Sequence, residues 1–193
     1  MHTETIEHAG LSFMVATRQD LGMRAPWKEH DGHGPVREAS SYYGKPHKRA
    51  GETIIHVDRG RYWLYDVAEA TRIAKRDGWG IDPERKAAWE ARIGRPLTAG
   101  EIAKAAVESD MDRLRGWLKD RWTWVYVKVT LLDTDGDTTW EYDCFGGIES
   151  DAGEYLDEVA ADLAASIADR VGGDTHILMG AKSIRIRPEP IAA

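Results

Sequence analysis

The chain has 193 residues, 42% hydrophobic and 31% charged, which fits one domain or two small ones sharing a core and excludes wholesale disorder. Its net charge of −7 argues against general affinity for nucleic-acid phosphates, which requires clustered lysine and arginine. Cys144 is the only cysteine, so an intramolecular disulfide is excluded, and no apolar run approaches the roughly 18 residues of a membrane span.

Residues 1–10 lack a basic segment followed by an apolar one, so the expected location is the cytoplasm. Leu11 to Ala16 is a short apolar run that predicts a strand. Arg18 to Gly51 is polar and carries scattered glycine and proline. It reads as a long loop, and loops of that length are usually functional or disordered. Glu52–Asp58 predicts a strand on Ile54, Ile55 and Val57. Arg59-Gly60 turns the chain, and Arg61 to Tyr65 completes a hairpin. Asp66 is a good N-cap with Glu69 three residues on, so a helix follows and stops at Gly78.

Pro83 opens a short helix that ends at Gly94, and Thr98 with Glu101 forms a capping box for the next, reaching about Arg121. Trp122 to Leu132 is the strongest strand signal: Trp124, Tyr126, Lys128 and Thr130 alternate with Val125, Val127, Val129 and Leu131. An Asp-Gly turn over residues 133–137 leads to a return strand, Thr138 to Phe145, which Gly146-Gly147 breaks. Ser150 or Asp151 then caps a final helix that ends at Gly172-Gly173, and Ile184 to Arg187 adds an edge strand. The fold class is α+β, an antiparallel sheet built from two β-hairpin–helix units with two additional helices between them. The expected division is residues 1–95 and 96–193, or one compact domain. The charge is uneven along the chain: residues 18–95 carry +4 and residues 96–193 carry −9.

Two features carry the functional reading. The first is the loop Trp27-Lys28-Glu29-His30-Asp31-Gly32-His33-Gly34. His30 and His33 could hold a transition metal if His47, His56 or a carboxylate completed the shell, but a zincin spacing and a cysteine pair are both missing. The second is the acidic tract from Val129 to Ala168, which has no lysine or arginine and includes Glu149, Asp151, Glu154, Asp157, Glu158 and Asp162. A single-sign face of this kind steers toward a basic partner.

Other motifs fail on inspection. Asp133, Asp135 and Asp137 begin like a calcium loop, but the glycine falls at the fourth position and Cys144 occupies the twelfth. Cys144 lies in a strand and reads as a packed core thiol. No phosphate loop and no nucleophile elbow occurs. No catalytic residue, metal ligand or cofactor is assigned.

The Ala25–Gly34 segment, the stretches Tyr65-Asp66-Val67 and Ala74–Trp79, the Trp124–Asp133 segment and Gly147-Ile148-Glu149-Ser150 together resemble a family of uncharacterised small proteins encoded by bacteriophages and prophages. The resemblance covers about half the chain and implies a protein made inside an infected bacterium that regulates or inhibits host machinery, antiviral defence included. It carries over no catalytic residue. The leading expectation is a non-enzymatic binding protein that engages a basic host protein, such as an anti-CRISPR. It would use the acidic residues, the Trp27–Gly34 loop, or both. One alternative is a small-ligand, nucleotide or metal site, or an enzyme, centred on His30, Asp31 and His33. Another is a nucleic-acid-binding module using Lys45, Lys48, Arg49, Arg59 and Arg61 with Tyr42, Tyr43 and Trp63.

Overall fold

A computed structural model describes residues 2–29, 32–41 and 44–187. In chain order the elements are β1 (His2–His8), β2 (Leu11–Gln19), α1 (Pro26–Glu29), β3 (Val36–Ser40), β4 (Glu52–Asp58), β5 (Arg61–Asp66) and α2 (Val67–Asp77). There follow α3 (Pro83–Ile93), α4 (Ala99–Trp117), β6 (Trp124–Leu132), β7 (Thr138–Glu149), α5 (Tyr155–Val171), β8 (His176–Met179) and β9 (Lys182–Arg185). All pairing is antiparallel, and the fold is α+β. Both hairpin–helix units are present, β4–β5–α2 and β6–β7–α5, with α3 and α4 between them. The strands form three sheets, of four, three and two strands.

The compact units do not follow the halves 1–95 and 96–193. One unit joins residues 1–23 to residues 122–193, and the other is residues 24–121. The reason lies in β2. Its apolar residues find their partner in β6, more than a hundred positions away, with Val15 opposite Val129 and Phe13 opposite Leu131. Everything between is inserted into that first unit.

In the first unit the sheet order is β1-β2-β6-β7, so β1 and β7 are edges. The alternation of β6 places Val125, Val127, Val129 and Leu131 on one face, where they meet Phe13 and Val15 of β2 and Val159, Ala164 and Ile167 of α5. The spacing of Ala160, Ala164, Ile167, Ala168 and Val171 makes one buried stripe on α5. Ile167 is wholly buried, and truncating it to alanine costs about 2–5 kcal/mol.

Two local readings are corrected here. Gly146-Gly147 does not break β7. Phe145 pairs with Val127 and Ile148 with Val125, so two glycines are absorbed as a bulge and the strand runs on to Glu149. Gly147 takes a positive φ of 72° there, and its N–H donates to Asp20. Nor do Ser150 and Asp151 cap α5, which begins at Tyr155 without a side-chain cap. The Ser150 hydroxyl instead accepts from the Thr123 N–H at 3.0 Å and so ties the end of β7 to the start of β6.

In the second unit the sheet order is β3-β5-β4. The expected long loop, Arg18 to Gly51, contains the end of β2, α1 and β3. β3 is polar in sequence and becomes a strand because β5 pairs with its full length, Val36 opposite Tyr65 through Ser40 opposite Arg61. Helix α2 starts where Asp66 accepts from the Glu69 N–H, and α4 where Thr98 and Glu101 close a capping box. The two helices pack through small residues, Ala70 and Ala74 on α2 and Ala103 and Val107 on α4, against Ile55, Trp63 and Tyr65. Helix α3, although capped by Asp82 and Gly94, buries no residue fully.

Candidate functional site

In the second unit, a carboxylate that sequence reading passed over organises the histidine loop. Asp110 lies on α4 and is 8% exposed. It accepts from the Tyr65 hydroxyl at 2.6 Å and from the Gly34 N–H at 2.7 Å, and its other oxygen lies 2.6 Å from His33 Nδ1. Two donors thus meet on one oxygen of a buried carboxyl, and an imidazole nitrogen meets the other. Burial first, then the Asp110 charge and the hydrogen bond, push the Tyr65 hydroxyl far above its ordinary pKa, so it stays a donor. Gly34 fits because it has no side chain: a Cβ there would run into the Tyr65 hydroxyl and ring and sit 2.7 Å from the Ala70 Cβ.

A His–Asp pair can orient an imidazole for proton transfer. Here the carboxylate is shared with a tyrosine and a backbone amide, and the whole cluster joins loop, β5 and α4. It is a latch. The other loop residues are also engaged locally. Trp27 meets Trp117 edge to face at 5.4 Å, Lys28 pairs with Glu38 at 3.1 Å, and Glu29 accepts from both the backbone and the side chain of Arg24. His30 and Asp31 lie outside the described residues. Among the described residues, no group of three His, Cys, Asp or Glu side chains is placed to hold a metal ion.

Of the aromatic residues named for stacking in the basic middle of the chain, Trp63 is the one among the described residues. Trp63 is buried in the core of the second unit, with Arg61 5.3 Å from its ring and His56 tilted against it at 5.2 Å. A buried ring has no face to offer a base. Tyr42 and Tyr43 lie outside the described residues.

In the first unit the acidic residues fall into two groups. Asp133 is spent on its own turn, accepting from the Asp135 and Asp137 amides. Glu141 and Asp143 of β7 are met by Arg170, which reaches back from the last turn of α5. The Arg170 hydrogen bond, helped by the Cys144 N–H, holds the Asp143 carboxyl below its ordinary range. The single-sign tract is therefore neutralised at that point by a cation just beyond its end.

The second group lies between the end of β7 and the first turns of α5. Glu154 at the N-cap and Asp157, Glu158 and Asp162 of α5 are all exposed, and Glu154, Glu158 and Asp162 recur four residues apart on the side of the helix away from its buried stripe. Among the described residues none of these four forms an ion pair. Asp151 is exposed and Glu149 half-buried at the end of β7. Sequence reading also missed the exposed aromatic side chains of this unit, of which Trp140 and Tyr142 alternate with Glu141 and Asp143 and so face away from α5. Trp140, Tyr142 and Phe145 on the edge strand β7 and Tyr155 at the start of α5 are 66%, 53%, 50% and 47% exposed. The signal available was the aromatic residues in a strand that otherwise alternates with acids. Cys144 on β7 is exposed, not packed as expected. It lies opposite Lys128, whose amine sits 4.1 Å from the Tyr142 ring centroid.

The unit boundaries sharpen the charge division. Residues 24–121 hold 20 basic and 16 acidic side chains, net +4, and the rest of the chain holds 6 and 17, net −11. No protein family, curated protein or solved structure matches the chain in comparisons with each.

Proposed function

We propose that this is a protein-binding module, not an enzyme, and that α5 with the edge strand β7 engages a basic surface on another protein. The observation that carries this reading is the pairing of an uncompensated acidic stripe, Glu154, Asp157, Glu158 and Asp162, with the exposed Tyr155 at the start of α5 and the exposed Phe145 of β7, which lies opposite Val127 on the sheet face that α5 covers. Exposed aromatic area contributes contact energy, and like-signed charge around it steers the encounter and selects the partner's sign. A net charge of −11 confined to one unit strengthens the steering. The Asp110 cluster supports the same reading, since its hydrogen-bonding capacity is turned inward.

In the setting implied by the phage and prophage resemblance, the partner is a protein of the bacterial host and the effect is inhibition, as in a suppressor of antiviral defence. The test starts with affinity purification from the host cell, then measures the affinity of the recovered partner against salt. Binding should weaken as salt rises, and Glu154→Lys, Asp157→Lys and Glu158→Lys combined should weaken it more than about tenfold, at 1.4 kcal/mol per decade. Unchanged affinity in the triple variant would remove α5 from the interface.

A further inference from the structure

The second unit contains a cavity of about 420 Å³ between the end of α2, the Gly78–Ile81 turn, the exposed helix α3 and the first turn of α4. Its size lies within the roughly 300–1,000 Å³ of small-molecule sites. The floor is apolar: Ala74 and Ala103 are buried, and Ile102 and the Trp79 side chain line the wall. The rim carries two charged side chains of one sign, Lys75 and Lys86. Lys86 is 4.0 Å from Glu90, at the outer limit of an ion pair, and Lys75 has no carboxylate partner among the described residues. No acidic side chain lines the cavity, whereas the larger cavity of about 760 Å³ in the other unit is lined by Glu7 and Asp133.

We propose that this cavity binds a small ring compound bearing a phosphate, the chemistry of a mononucleotide. Lys75 and Lys86 take the phosphate, and Trp79 and Ile102 take the ring. Either half alone is insufficient: lysines on an open surface bind an anion only weakly, and an apolar recess of this size does not select for charge. Helix α3 fits the same role. It is held by its caps and the turn at each end more than by burial, so it can adjust over an occupant.

The test is a two-dimensional NMR titration of the full chain with adenosine 5′-monophosphate, with adenosine and inorganic phosphate in separate arms. Binding of the monophosphate should shift the Trp79 indole signal and the amides of Gly78, Gly80, Ile81 and Ile102, and each half-ligand should bind more than about tenfold more weakly. Lys75→Glu with Lys86→Glu should abolish the shifts while the rest of the spectrum stays in place. Gly80→Leu should do the same by filling the space, since a Cβ at Gly80 meets nothing within 4 Å. The proposal is overturned if no shifts appear, if they map elsewhere, if inorganic phosphate alone reproduces them as an adventitious ion only, or if both variants keep the affinity of the native chain. The acidic face lies on the other unit, so either reading can fail without the other.

Discussion

The Tyr65 hydroxyl donates to the Asp110 carboxylate at 2.6 Å and joins β5 to α4 across 45 residues. Both groups are buried, so neither can turn to water if the other is removed. Tyr65→Phe deletes one donor to a charged acceptor and should cost about 1.5–3 kcal/mol. Asp110→Ala strands the Tyr65 hydroxyl and the Gly34 N–H at once, removes the His33 partner and should cost about 3–5 kcal/mol. Urea denaturation of both variants checks this. An Asp110→Ala protein within 1 kcal/mol of the native one, a bound well below that estimate, would show that the cluster is not a latch.

Gly34 tests the same latch sterically. Alanine there would press on the Tyr65 ring and the Ala70 Cβ, both in the core of the second unit. The loop must back away, and the Gly34 N–H then leaves Asp110. Overpacking of this kind costs about 1–3 kcal/mol, and the lost hydrogen bond adds to it. Gly32→Ala is the control, because a Cβ at that position meets nothing within 4 Å. Equal melting temperatures for the two variants would contradict the close approach at Gly34.

Glu52 gives a pH dependence. It is buried on β4 and accepts from Arg37 at 2.8 and 2.7 Å and from the Arg49 N–H at 2.7 Å. The Arg37 hydrogen bond outweighs burial and, with the Arg49 N–H, holds its carboxyl down at about 2, against an ordinary 4.5. Because the folded value is the lower one, the folded state binds this proton less readily than the unfolded state does. The stabilisation is fully present above pH 4.5 and is lost as the pH falls through that value toward 2. Glu52→Gln should lower stability at neutral pH by about 2–3 kcal/mol and flatten the acid limb of the stability curve over that window. Parallel acid limbs in the two proteins would assign the acid sensitivity elsewhere.

Cys144 should react in the native state. Its exposure on β7 predicts one maleimide adduct per folded chain at neutral pH, with no denaturant. Mass spectrometry of the intact protein reads this directly. Labelling only after unfolding would return Cys144 to the interior, the place its position within a strand suggests.

That misplacement shows where sequence reading stopped. The features it found are those whose physics is local. Asp66 caps α2, Thr98 and Glu101 close their box, Gly78 and Gly94 end helices, and Asp133 to Asp137 form a turn. Each depends on residues within a few positions, so the composition of a short window suffices. The acidic stripe of α5 was legible for the same reason, since helical spacing alone puts Glu154, Glu158 and Asp162 on one side.

The missed features depend on partners distant in sequence. β1 reads His-Thr-Glu-Thr-Ile-Glu-His, with one apolar residue, and becomes a strand because β2 pairs with all of it. His33 was visible, but Asp110 stands 77 positions away and looks like any helical aspartate until α4 is packed. Arg170 lies just past the acidic tract, and only the packing of α5 on β7 returns it to Glu141 and Asp143. The sequence alone determined the fold class, the helix limits set by caps and the sign of the charge on each stretch. Tertiary packing decided which carboxylates are neutralised, which aromatic rings stay exposed, and where the chain divides. Those outcomes depend on distances between residues that covalent order does not bring together.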